Sequence, residues 1–321
     1  MIYRTYSKLA GAPTPMAGLA LGISSLGWSW ENAAPLHGHG QLLGAAIAAV
    51  LLLILLGKFI CHPKLLWGDL AHPVVGSVVP TFAMATMVVS NALGKLTAFW
   101  GEALWLFAVV LHLIFLAVFT WHRAKEFKLH HMVPSWFVPP VGIIVACVSF
   151  PGLHFQNLAY GLLIFGIICY FIMLPVMTHR LIFSHEVPDS AKPTIAIMAA
   201  PASLSLAGYL TIESAPSPLL VALLFGIAVL MTAIIYMAFF RLLKLPFSPG
   251  YAAFTFPMVI GATAIYKLSH LMMGWEMFHR YAHQLRILAN LELAVATVIV
   301  TYVALRYLIA ILPEPKLIHS T

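Results

Sequence analysis

Charge is what this chain lacks. Only 8% of its 321 residues are Asp, Glu, Lys or Arg, against about 25% in a typical soluble domain. No stretch could form a sizeable water-facing domain, and a mean hydropathy of +0.96 extends that statement to the whole length. Cysteine is scarce too. Cys61, Cys147 and Cys169 lie far apart and make no CxxC pair, so neither a disulfide framework nor a thiolate metal site is indicated. HExxH, a phosphate-binding P-loop, a Gly-rich dinucleotide turn and GxSxG are all absent. The chain is read as no enzyme and as needing no cofactor. Its net charge of +7 does not point to nucleic acid, because Lys and Arg stand singly between apolar runs and form no patch.

Long apolar runs are what the sequence has instead. A membrane-crossing helix needs roughly 20 mostly apolar residues. The runs predict ten, over 14–31, 40–60, 73–94, 98–121, 135–151, 155–178, 193–212, 217–240, 249–269 and 287–312. The expected fold is an all-α integral membrane protein, one transmembrane domain over 1–321 with a short N-terminal segment (1–12) and a tail (313–321). Arg4 and Lys8 are followed by Pro13 and Pro15, with no clear cleavage site, so the N-terminus is read as retained. With ten spans, twelve Lys and Arg fall on the side of the termini and four (Lys95, Lys267, Arg280, Arg286) on the other. That asymmetry places both termini in the cytoplasm of a multi-pass protein of the cell (inner or plasma) membrane.

Proline repeats. Odd-numbered spans begin with a proline and carry another further in: Pro73 and Pro80, Pro134 and Pro140 (paired with Pro139), Pro193 and Pro201, Pro249 and Pro257. The inner set recurs about every 60 residues, a sign of repeated architecture. The chain reads as five helical hairpins, each pairing a kinked odd helix with a straighter even one. An interior proline frees the carbonyl four residues back. Those of Gly76, Trp136, Ile197 and Ala253 need protein or water around them, since irregular backbone at membrane depth is tolerated only there. An inner ring of five kinked helices around a central pore, inside an outer ring of even helices, meets that need.

The odd spans are nearly free of charge, with Lys267 close to the end of the ninth, so the expected path has no fixed charge. Glu292 and Arg306 read as ends of the tenth helix, snorkelling or paired with a neighbour. In the ninth span, Phe254 and Phe256 are either an apolar constriction before Pro257 or ordinary packing aromatics. His279 and His283 sit one turn apart, but nothing completes a metal site. No titratable group stands out on the path for proton coupling; a buried histidine such as His112 is the kind of residue that would supply one.

Four segments resemble the family of bacterial TehA tellurite-resistance proteins, plant slow anion channels of guard cells and yeast malate and sulfite transporters. They are PTPMAGLALGISSLGWSW (13–30), HPVVGSVVPTFAMATMVV (72–89), MAAPASLSLAGYL (198–210) and YAAFTFPMVIGA (251–262). The resemblance covers roughly 13–312. It implies five hairpins around a pore, a homotrimer with one pore per subunit in membrane lipid, and a phenylalanine plug on the ninth helix. Phe256 matches the plug best, with Phe254 as fallback. The function it implies is a gated anion-selective channel or transporter for small monovalent anions. The alternative is a secondary transporter exporting C4-dicarboxylate, sulfite or tellurite-like oxyanions.

Overall fold

The structure is a computed structural model and describes residues 9–274, 276 and 279–311. Arg4, Lys8, Lys316 and the tail 313–321, used above for orientation, lie outside those residues. The apolar runs form α1 (Met16–Ala33), α2 (His39–Cys61), α3 (Val75–Gly94), α4 (Ala98–Lys125) and the shorter α5 (Pro134–Val148). They continue in α6 (Gln156–Phe183), α7 (Lys192–Ile212), α8 (Pro218–Leu242), α9 (Pro249–Met273) and α10 (His279–Ile311). Among the described residues, eight helices are long and apolar enough to cross a membrane; α1 and α5 are the two outside that set. Most boundaries agree with the hydropathy pattern within a few residues. The start of α10 does not, because the helix runs on through Arg280 and Arg286. Arg286 donates to the Asn32 carbonyl (3.2 Å), and the Arg280 guanidinium covers the Tyr281 ring at 4.6 Å. Charge read as a loop is a helix end continuing past the apolar zone.

Burial separates the helices into two layers. The apolar windows of α3, α7 and α9 are 78, 72 and 83% buried, against 28–39% for α2, α4, α6, α8 and α10. Nearly all of α5 and half of α1 are buried, and no residue of either is exposed. The inner helices pack in a closed order: α1 on α3, α3 on α5, α5 on α7, α7 on α9 and α9 back on α1. Each even helix packs on the odd helix before it. The outer faces are apolar, with Leu53, Phe107, Ile172, Leu219, Met237 and Val298 all well exposed. A water-soluble protein inverts that pattern; a bilayer requires it.

The prolines act differently from a kink inside a continuous helix. Short 3-10 stretches over Lys192–Ala199 and Pro249–Phe254 precede α-helical segments Ala200–Ile212 and Thr255–Met273. Pro201 and Pro257 fall in the first turns of those segments, and Pro80 immediately precedes the segment Thr81–Gly94. There a missing N–H removes no helical hydrogen bond. Pro140 belongs to the single turn Val138–Val141, between further 3-10 turns. Neighbouring side chains satisfy the irregular backbone of α5: His112 Nε2 lies 2.8 Å from the Pro139 carbonyl, and Trp105 Nε1 donates to Ala146 at 3.0 Å. Both donors come from α4. His112 is thereby occupied in supporting α5.

A second repeat ties the hairpins together. A basic residue sits near the end of every even helix: Lys58, Arg123, Arg180, Arg241 and Arg306. Four of them reach the segment leading into the odd helix of their own hairpin. Lys58 donates to the Ala12 carbonyl before α1 (2.9 Å), Arg123 to the Ala71 carbonyl before α3, and Arg180 to the His130 carbonyl before α5 (2.9 Å). The Arg306 guanidinium stacks 5.2 Å from the Phe247 ring before α9. Arg306 therefore snorkels toward an aromatic partner, as its place near a helix end suggests.

Candidate functional site: a divided cavity inside the inner helices

The inner helices enclose a cavity of about 490 Å³. All five contribute to its wall, through residues such as Leu21, Thr81, Val141, Leu204 and Ala253, and the wall is overwhelmingly apolar. Apart from Lys58 of α2, every even helix is missing from it. Small side chains on the odd helices leave the space open. Beyond it lies a second cavity of about 70 Å³, walled by α1, α3, α5 and α9. The first takes residues 10–21 of the N-terminal region and α1 and 249–257 of α9; the second takes 25–32 of α1 and 256–267 of α9. Phe256 borders both.

Phe254, two residues earlier, is fully buried in another direction. Its ring lies 5.4 Å from Phe239 and 4.8 Å from Tyr251, and it borders neither cavity. Of the four inner prolines, Pro201 and Pro257 face the larger cavity with Ile197 and Ala253, whereas Pro80 and Pro140 stand outside its wall.

At the end of the larger cavity lined by residues 10–15, Lys58 Nζ is 3.4 Å from Asp69 Oδ2 and 2.9 Å from Thr14 Oγ1. Thr14 in turn donates to Asp69 at 2.5 Å. The sequence marks Lys58 only as an orientation charge. Here it is buried, and its charge is compensated by a carboxylate that is itself a quarter exposed. The smaller cavity has a charge as well, Lys267. The expectation of a path without fixed charge therefore needs correction. Lys267 lies eleven residues after Phe256, three helical turns along the same face of α9; reading it as a helix-end residue hid that register.

The other polar candidates point elsewhere. His112 lines neither cavity. Glu292 is buried between α10 and α9, beside Gly261 and Ser203, in a separate small void. Among the described residues, no three His, Cys, Asp or Glu side chains come together as a metal site.

Buried odd helices around a divided cavity, with apolar outer faces on the even helices, define a multi-pass helical membrane protein. The comparisons with known proteins agree. The chain belongs to the voltage-dependent anion channel family, whose profile matches residues 16–308. It is 26% identical over 248 residues to an uncharacterized transporter of Methanocaldococcus jannaschii, covering 68% of this chain and 72% of that protein. A second uncharacterized transporter of that organism is 27% identical over 230 residues, covering 63% and 66%. A tellurite resistance protein TehA homolog of Haemophilus influenzae is 25% identical over 279 residues, covering 83% and 84%. The family is one of anion channels and transporters.

Proposed function

We propose that the chain is a gated anion-selective channel, its path running lengthwise through the space enclosed by α1, α3, α5, α7 and α9, with the Phe256 ring as the plug. The observation that carries this reading is that Phe256 borders both cavities: displacing one side chain would join them. An aromatic ring in an apolar throat excludes water, and an ion that cannot keep its water does not pass. On this reading all ten helices cross the bilayer as one membrane domain. The 18 residues of α1 give a rod of about 27 Å, and the 3-10 turns of α5 rise about 2.0 Å per residue, stretching a short segment toward full depth.

The distribution of Lys and Arg supports cytoplasmic termini in an inner or plasma membrane. The assembly proposed is a homotrimer surrounded by lipid, each subunit with its own path. Light scattering on the detergent-solubilised protein should give three times the chain mass after correction for detergent; a monomer would remove this part of the proposal.

The wall chemistry sets the expected selectivity. In the larger cavity the one cation is paired with Asp69, and the apolar side chains and few hydroxyls around it replace little of an ion's hydration, so anions that shed water easily pass best. Reversal potentials should rank nitrate and iodide above chloride, with fluoride and sulfate poorest. A series led by fluoride would overturn the mechanism.

A second reading, a secondary exporter of C4-dicarboxylate, sulfite or tellurite-like oxyanions, draws on the transporter and TehA descriptions of the relatives. Labelled malate flux in proteoliposomes, coupled to internal pH change, would replace the channel with an exporter.

A further inference from the structure

The smaller cavity is polar in a one-sided way. Two helix faces meet there: Phe256, Ile260, Thr263 and Lys267 at i, i+4, i+7 and i+11 of α9, and Ser25, Trp28, Ser29 and Asn32 at i, i+3, i+4 and i+7 of α1. The polar groups are largely donors. Thr263 Oγ1 lies 3.1 Å from the Val259 carbonyl and 3.2 Å from Ser29 Oγ; its one proton serves either acceptor, and when it serves Ser29 the Ser29 hydroxyl proton is free to point inward. Among the described residues, the hydrogen bonds formed leave the Ser25 hydroxyl and the Trp28 indole N–H without a protein acceptor, while Asn32 Nδ2 is engaged by the Ser29 carbonyl at 3.1 Å. Among the described residues, the wall contains no carboxylate.

Lys267 stands apart from the other cation on the path. Lys58 has Asp69, but among the described residues the ion pairs involve Lys58, Lys192 and His154, and Lys267 forms none. Arg286, held at the Asn32 carbonyl, brings a further positive charge to the same end. A chamber with an uncompensated ammonium, spare hydroxyl and indole donors and no acceptor carboxylate is complementary to an anion. Its volume, about 70 Å³, holds one small monovalent ion with about one water.

We propose that Lys267, with Ser25, Trp28, Ser29 and Thr263, forms a binding site for a single small monovalent anion on the side of Phe256 opposite the cavity that holds Lys58. The inference rests on the path proposed above and adds to it an unpaired charge that sorts anions from cations. An ion held there waits against the closed ring and enters the larger cavity when the ring moves. A fixed charge in a narrow, low-dielectric chamber raises the local concentration of its counter-ion, so conduction through an opened path should saturate at low chloride.

The test uses the opened path, Phe256→Ala, and adds Lys267→Met, Lys267→Arg or Lys267→Glu to it in the full chain. Current is recorded against chloride concentration, and reversal potential in a salt gradient. Loss of the charge in Lys267→Met should lower conductance at low chloride by about tenfold and much less at high chloride. Lys267→Arg should keep most of it, and Lys267→Glu should abolish the preference for anions. If Phe256→Ala conducts and Lys267→Met leaves both the concentration curve and the reversal potential unchanged, the site is wrong and the path stands. If Phe256→Ala is at the membrane and silent, the path fails and the site fails with it.

Discussion

Phe256→Ala should turn a nearly silent protein into an open one. The ring borders both cavities and is only 8% exposed, so its removal leaves little else at the division. A phenyl group fills on the order of 150–250 Å² of contact surface. If the ring contributes even about 3 kcal/mol to the barrier, its loss raises passage about a hundredfold. Anion current under voltage clamp, with surface protein quantified, measures this. Phe254→Ala is the control, because it deletes the same ring two residues away. Phe254 packs against Phe239 and Tyr251 away from both cavities, so its removal should cost about 3–5 kcal/mol of stability. The Phe254 variant should show lower yield and no gain of current. Wild-type current from a surface-expressed Phe256→Ala would sink the plug.

That contrast also shows where sequence reading stops. The hydropathy runs locate the helices because lipid demands an unbroken apolar segment, and that demand is written residue by residue. The proline spacing points to the odd helices as the inner set, and burial of α3, α7 and α9 agrees. Phe254 and Phe256 cannot be separated by composition: both are aromatic, both sit near Pro257, and the 3-10 turns over Pro249–Phe254 rotate the chain by an amount no simple period reveals. Lys267 could have been found by counting helical turns from Phe256 along the regular stretch Thr255–Met273. Lys58 could not, since its role depends on Asp69 and Thr14 from other segments. The five basic residues closing the even helices recur with a period near 60, but only their contacts identify four of them as clamps on their own hairpins.

Gly27→Val should prevent the protein from reaching its folded state. A Cβ at Gly27 would stand 2.3 Å from the Gly40 carbonyl oxygen and 3.1 Å from the Gly44 Cα, both atoms of the α2 backbone. Gly44 faces the same contact from α2, with a Cβ there 2.8 Å from the Ile23 carbonyl oxygen. Backbone cannot swing aside as a side chain does, so the first hairpin would have to part along its length. In lipid no hydrophobic gain drives helices together; close packing between small residues does. Overpacking a tight core ordinarily costs about 1–3 kcal/mol, and here the lost hairpin contact adds to it. α1 also packs on α3 and α9, so the damage would spread to the wall of the path. The matched control is Gly226→Val in α8, where an added Cβ meets nothing within 4 Å. That change should stay within about 0.5 kcal/mol of wild type. Thermal unfolding and size-exclusion profiles of the two purified variants decide the matter: Gly27→Val should melt well below wild type or fail to give a discrete species, while Gly226→Val should overlay it. Equal harm from both would mean that valine is disfavoured in these helices for its own sake, and that the close approach of α1 and α2 is not what holds the first hairpin.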